Sequence, residues 1–284
     1  MASKGLTTQT NASNHIALIN ECMTGPPAEA ILKKCGLLDP RPDSAAPLYL
    51  LDNASGIGTL IFRLLKHNSN ISFRRIVGAD IDENYLSFLR ERAAKKGVPS
   101  VEALRLDQQA PELDSASFEF IFNNFGVFFA PKDTAVLTET HRMLRSGGFA
   151  GFTSWAKLAW WDELLLPALD RYVAGAPALP DPTKLFPATG WMDPQTARAK
   201  LQDAGFVEVH SEIWSFTPEV SAEDLALACT HLVKAVSARA WDESARLRFE
   251  PLIEDAFRRY LYDSFEGGRW TGKMSAVLTW GRKA

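Results

Sequence analysis

The sequence predicts an α/β fold, a mainly parallel sheet with helices on both faces, preceded by short helices and followed by a helical, tryptophan-rich insert. Three observations predict it. Between residues 48 and 155, short apolar runs alternate with amphipathic stretches, the rhythm of strand and helix taken in turn. The stretch "LYLLDNASGIGTL", residues 48–60, places small residues and two glycines where a strand should hand over to a helix. The chain has 284 residues, 46% hydrophobic and 23% charged, which is core enough for one large domain.

The elements follow in order. Residues 1–13 are polar and expected to be disordered. "NHIALINECMTG" and "PPAEAILKKCGL" read as two short helices, the second opened by prolines tolerated in a first turn. "RPDSAAP" is a linker. Strand "LYLLD" then precedes helix "GIGTLIFRLLKH", and strand "RRIVGAD" precedes helix "ENYLSFLRERAAKKG". Strand "VEALRLD" leads through a loop to strand "FEFIFNN", helix "KDTAVLTETHRMLRSGG" and strand "FAGFTSW". After Trp155 the rhythm changes to a Trp-, Pro- and Leu-rich stretch with a polar turn, "LPDPTKLFPATG". "DPQTARAKLQDAG" resumes as a helix and "FVEVHSEIWSF" as a strand. Two helical segments fill residues 221–265, the second interrupted at Pro251, and "GKMSAVLTWGRK" closes as a strand. The expected organisation is a single domain over 14–284: a helical cap (14–47), a ligand-binding core (48–155), an insert serving as a substrate lid (156–200), and terminal strands and helices (201–284).

Composition narrows the function. A net charge of −3 provides no basic field for nucleic acid. Cys22, Cys35 and Cys229 form no CxxC pair, which argues against a disulfide framework or zinc cluster and fits a reducing compartment. The N-terminus has no apolar signal core, and the most apolar tract, "FEFIFNNFGVFFAP", is too short for a membrane span. Asn11, Asn53 and Asn70 open glycosylation triplets that read as chance without a signal. The expectation is a cytoplasmic protein acting on a small molecule, without nucleic acid, membrane or metal; its oligomeric state is not legible.

A glycine turn into a helix offers unpaired N–H groups to an anion. Asp52, directly before that turn, would repel a pyrophosphate but can interact with a ligand ammonium. Asp80 ends the second strand, where a carboxylate can accept both hydroxyls of a ribose. Asp107 ends the third, within reach of an adenine amino group. Anion donors, an ammonium partner, a ribose acceptor and an amine acceptor describe S-adenosylmethionine better than NAD.

On these residues the chain resembles a family. "LLDNASGIG", "VGADIDENYL", "LRLDQQ", "FIFNNFGVFF" and "HRMLRSGGFAGFTSW" are similar to successive motifs of class I S-adenosylmethionine-dependent methyltransferases. The layout most resembles the ubiquinone-type and fungal secondary-metabolite branches, the latter including thiol methyltransferases acting on gliotoxin-like dithiols. The resemblance implies a Rossmann-like seven-stranded sheet of order 3-2-1-4-5-7-6 with strand seven antiparallel. It implies that Asp52, Ala54, Gly56 and Gly58 surround the methionine portion, Asp80 holds the ribose, and Ile81 lies against the adenine. Asp107 and Gln108 would meet the adenine's polar edge, and Asn123 and Asn124 would end the strand facing the reacting methyl. S-adenosylhomocysteine would be the product. The motif commonly has a glycine where Ala54 stands; alanine still permits close approach if its φ is negative.

The cofactor is already a strong methyl donor, so positioning, which can supply about 7–11 kcal/mol, makes no base obligatory. A thiol, with an ordinary pKa of about 8.5, ionises more readily than an alcohol. His15 and Asn124 are the candidate catalytic residues, His15 on a helix that in this family folds over the cofactor. His141, His210 and His231 read as structural or solvated. The aromatic supply points to an apolar or planar substrate. Phe125, Phe128 and Phe129 follow the fourth strand, while Trp155, Trp160, Trp161, Phe186 and Trp191 populate the insert region. The expected activity is methyl transfer to a thiol or hydroxyl of a small, largely apolar secondary metabolite. Two alternatives stand beside it. One is a cofactor-binding relative that transfers nothing, as a binding subunit or cyclisation catalyst. The other is an NAD(P)-dependent oxidoreductase, for which "GIGTLI" lacks the third glycine of the fingerprint.

Overall fold

The computed structural model describes residues 17, 20–39, 46–67, 72–98 and 100–284. The expected disorder of 1–13, His15, Asn11, Asn70 and most of the "RPDSAAP" linker lie outside them. The chain resolves into two compact units. A sheet unit comprises residues 24–156, 187–214 and 276–284; a helical unit comprises 157–186 and 215–275 with the described residues up to Met23.

The sheet unit opens with α1 (Gly25–Lys34), whose prolines occupy its first turn. In the interior of the sheet is β1 (Leu48–Asn53), an apolar run buried almost throughout, as parallel strands covered on both faces require. Then come α2 (Thr59–His67), β2 (Phe73–Asp80), α3 (Glu83–Lys95), β3 (Val101–Arg105), β4 (Phe118–Asn124), α4 (Asp133–Met143) and β5 (Leu144–Lys157). Asp82 caps α3 by accepting from the Asn84 N–H at 2.8 Å. Later, Asp193 caps α6 (Pro194–Asp203) and β6 (Val207–Phe216) follows; the closing strand is β9 (Met274–Arg282).

The seven strands lie in the order β3-β2-β1-β4-β5-β9-β6. β3, β2, β1, β4 and β5 pair in parallel. Ser211 bonds Thr279 and Ser215 bonds Ser275, so numbers rise along β6 as they fall along β9, and the two are antiparallel. The start of β5 meets the end of β9 through Gly147 N–H to Lys283 C=O and Lys283 N–H to Gly148 C=O. This is the order, and the reversed last strand, that the resemblance implied.

Two boundaries differ from expectation. The helix expected over 132–148 ends at Met143, because Leu144 pairs with Phe118 and begins β5 five residues before the expected "FAGFTSW". Pro251 does not interrupt its helix. In the helical unit, α5 is Leu166–Tyr172, entered through a π-helical turn at Trp161–Leu165, α7 is Ala222–Ala240, and α8 runs unbroken from Glu243 to Ser264. The carbonyl that Pro251 leaves without a helical N–H belongs to Leu247, which is 75% exposed, so water can serve it. Ser221 and Asp242 cap α7 and α8, and the two-residue strands β7 (Val220–Ser221) and β8 (Arg269–Trp270) pair antiparallel. Among the described residues no helix is long and apolar enough to cross a membrane.

Candidate functional site

β1, β2 and β4 deliver their last residues to one end of the sheet, where a loop rather than a helix turn must bridge β1 to α2. Residues 54–58 form it. Ser55 N–H reaches the Ala79 carbonyl at 2.8 Å, Gly58 N–H reaches the Ser55 carbonyl at 2.9 Å, and Gly56 N–H reaches Asp80 Oδ2 at 2.8 Å. Asp80 also accepts from the Asp82 N–H on Oδ1 at 3.0 Å, so one carboxylate ties the loop to the start of α3.

The glycines divide by role. Gly58 sits at φ +80, a left-handed backbone that favours glycine, and a Cβ there would also crowd the Leu89 side chain at 2.4 Å. A Cβ on Gly56 would meet nothing within 4 Å; that side of the loop is open to a ligand. Ala54 does not meet the condition of a negative φ. It sits at φ +68, the left-handed region that L-residues enter at a cost, and its Cβ would be 2.4 Å from one placed on Gly126.

Asp52 is fully buried and neither carboxylate oxygen has a hydrogen-bond partner. Burial, and then the charge of Asp80, push its pKa up to about 8. Asn53, on the opposite sheet face by strand alternation, is also buried with its amide unpartnered. Sequence reasoning singled it out only as a glycosylation triplet, which its burial rules out; an asparagine ending an apolar central strand was the available signal.

A cavity of about 130 Å³ opens beside Asp80, lined by Ala54, Asp80, Ile81, Leu106, Asp107 and Gln108, with Phe129 and Pro131 across it. It is smaller than pockets that enclose whole ligands, about 300–1,000 Å³, and suits one planar portion. Ile81 and Phe129 are 62% and 57% exposed at this cavity. Asp107 accepts from the Gln109 N–H at 2.8 Å and from its amide. Gln108, besides lining the cavity, makes bonds of its own. Its amide donates to the Gly126 carbonyl at 3.1 Å and accepts from Asn123 at 2.7 Å, while Asn123 accepts from the Gly126 N–H. Both side chains thus brace the loop after β4.

Asn124 accepts from Thr153 Oγ1 at 2.7 Å and donates to the Thr24 carbonyl. Phe125 follows at φ +60, its N–H bonded to Thr153, its ring buried 4.2 Å from that of Trp155. Phe128 is buried against Phe129. Trp191, expected among the substrate residues, is a core side chain: almost fully buried, its ring tilted against that of Phe152 with centroids 5.5 Å apart, with Nε1–H donated to Asp133 at 2.8 Å. Trp160 and Trp161 are buried edge to face in the helical unit, which also holds buried Phe186. His141 packs edge-on to Phe206, its pKa lowered by burial, and His210 stacks on Trp280.

The site fits S-adenosylmethionine on three counts: unpartnered buried oxygens on Asp52 for an ammonium, an open glycine face at Gly56 for backbone approach, and an acid-edged cavity for a nucleoside. Residues 50–148 match the family model described as a methyltransferase domain. Methyltransferase tpcH of Aspergillus fumigatus is 24% identical over 262 residues, 90% of this chain and 91% of that protein. The acetylaranotin bis-thiomethyltransferase of Aspergillus terreus is 27% identical over 252 residues, 86% of this chain and 84% of that one. Among solved structures, phosphoethanolamine N-methyltransferase 2 of Haemonchus contortus, in complex with phosphomonomethylethanolamine and S-adenosylhomocysteine, aligns with a TM-score of 0.52 and 15% identity. That alignment covers 91% of this chain and 52% of the other, and it shows the shared fold.

Proposed function

We propose that this chain, an S-adenosylmethionine-dependent methyltransferase, delivers its methyl group to a thiol or hydroxyl of a small, largely apolar metabolite, sulfur ahead of oxygen. The observation that carries the substrate reading is the Phe125–Trp155 pair, rings 4.2 Å apart at the adjoining ends of β4 and β5. Holding Phe125 at φ +60 costs energy, and such strain is kept where geometry matters to function. An apolar or planar acceptor suits that wall.

The cofactor supplies an activated methyl on its sulfonium. The chain's part is to bind, orient and exclude water. Asp80 accepts ribose hydroxyls with the lone pairs its two N–H partners leave over, Asp52 receives the ammonium, and Ile81 covers the base. A thiol acceptor needs little further help, because a group of pKa about 8.5 is partly ionised near neutrality. The 27% identity to a protein named as a bis-thiomethyltransferase, along most of both chains, supports sulfur. A cytoplasmic setting belongs to the same reading, since the three cysteines form no CxxC pair in the sequence.

The test is incubation of the full chain with labelled S-adenosylmethionine and a panel of aromatic thiols, dithiols, phenols, alcohols and amines. Methylated thiols ahead of phenols are expected. Tight binding of S-adenosylhomocysteine with no product across the panel overturns the reading in favour of a non-transferring relative.

A further inference from the structure

We propose that ligand binding at the end of β1 is proton-linked: a ligand bearing an ammonium group expels a proton from Asp52 as it binds. The inference rests on the cofactor reading above and adds a thermodynamic property to it.

The argument begins with two carboxylates on one sheet face. Asp52 pairs in register with Gly78, and Asp80 lies two residues further along β2, so both project to the same side. Their surroundings differ. Asp80 receives two N–H donors, from Gly56 and Asp82, and such donors stabilise a carboxylate's charge. Asp52 receives none. Around its register partner Gly78 stand Ile61 of α2, Leu89 of α3 and the Ser55 hydroxyl, and its partner on β4 is Phe122.

The charged groups on the covering elements are directed elsewhere. On α1, Glu29 binds Lys33, Arg63 and His67. On α3, Arg92 donates to the Ile57 carbonyl. On β4, Glu119 binds Arg145 and the Tyr49 N–H. Among the described residues, Asp80 is the charge that bears on Asp52, and it bears unfavourably on the ionised form. When two like charges share a dry site and one has the hydrogen bonds, the proton goes to the other.

Without ligand, therefore, Asp52 is a neutral carboxylic acid through neutral pH, consistent with its pKa of about 8. An ammonium brought beside it reverses the preference: the carboxylate forms, the O–H bond breaks, and the proton leaves to solvent. Below pH about 8 affinity for an ammonium ligand should rise about tenfold per pH unit, and the rise should flatten above it.

Calorimetry on the full chain with S-adenosylhomocysteine at pH 6.5, in phosphate and in imidazole, reads the proton count from the difference in binding enthalpy. About one proton released is expected. 5′-Methylthioadenosine has the same nucleoside and a thioether but no amino-acid portion, and should release none. Asp52→Asn, checked for a native melt, should bind S-adenosylhomocysteine with a pH-independent dissociation constant between pH 6 and 7.5. Should that variant not fold, the comparison of the two ligands still decides. Homocysteine-bearing ligand bound with no buffer dependence, or equal release by both ligands, overturns the linkage while leaving the cofactor reading intact. Failure of both ligands to bind overturns the cofactor reading itself.

Discussion

Ala54 holds a left-handed backbone, φ +68, directly after the strand that carries Asp52. That region costs an L-residue about 1–2 kcal/mol, and glycine there loses about 0.5–1 kcal/mol of chain entropy instead. Ala54→Gly is therefore expected to stabilise the protein by about 0.5–1 kcal/mol, read as a higher midpoint in thermal melts. The alanine has a role in packing, since its Cβ lies where Gly126 leaves room and so presses on the loop that Gln108 and Asn123 brace. Asp80 behaves differently. Its oxygens tie Gly56 and Asp82 together and face the cavity, so Asp80→Ala should weaken S-adenosylhomocysteine binding by about 1.5–3 kcal/mol, the range for hydrogen bonds to charged groups. Titration calorimetry checks this, and an unchanged dissociation constant refutes the role.

At the scale of elements, the segment from Ala188 to α6 is pinned to the far side of the loop after β4. Ala188 N–H bonds the Phe128 carbonyl, Trp191 and Lys200 both donate to Asp133 at the start of α4, and Ser154 donates to the Trp191 carbonyl. Trp191 is thus an anchor. Trp191→Phe removes one N–H from a buried carboxylate that Lys200 still serves, and is expected to cost about 1–3 kcal/mol of stability while leaving the acceptor KM unchanged. A raised KM with a native melt would return Trp191 to the substrate site. In α8, Pro251→Ala restores the bond to the Leu247 carbonyl; proline stands about 3 kcal/mol below alanine inside a helix, so a gain of about 1–3 kcal/mol is expected in denaturant unfolding. The caps at Asp82, Asp193 and Asp242 are local devices, each acting within three residues of itself. The early end of α4 was not legible in the sequence, because Leu144 leaves the helix to pair with Phe118, a partner distant in sequence.

At the scale of the whole molecule, unliganded stability and ligand binding oppose each other through Asp52. The folded chain raises its pKa from the ordinary 3.8 to about 8, so folding favours the protonated form. Its contribution is fully present below pH about 4 and is lost as pH rises through about 8. The apo midpoint should therefore fall over that window, and Asp52→Asn should remove that fall. Saturating S-adenosylhomocysteine, which binds only the folded state, should raise the midpoint more at pH 8 than at pH 6, with about 2.7 kcal/mol gained at a hundredfold excess over the dissociation constant. Equal shifts at both pH values would refute the coupling. The sequence by itself determined the strand–helix rhythm, the acids at three strand ends and the glycine turn, because each depends on spacing within one element or one turn. Tertiary structure alone decided that Asp52 stands without a partner while Asp80 has two, that Ala54 is left-handed, that Asn53 is buried, and that Trp191 faces Asp133. Those outcomes turn on which atoms from remote segments arrive beside a side chain, and burial and hydrogen-bond satisfaction are properties of that assembled neighbourhood, which no local pattern records.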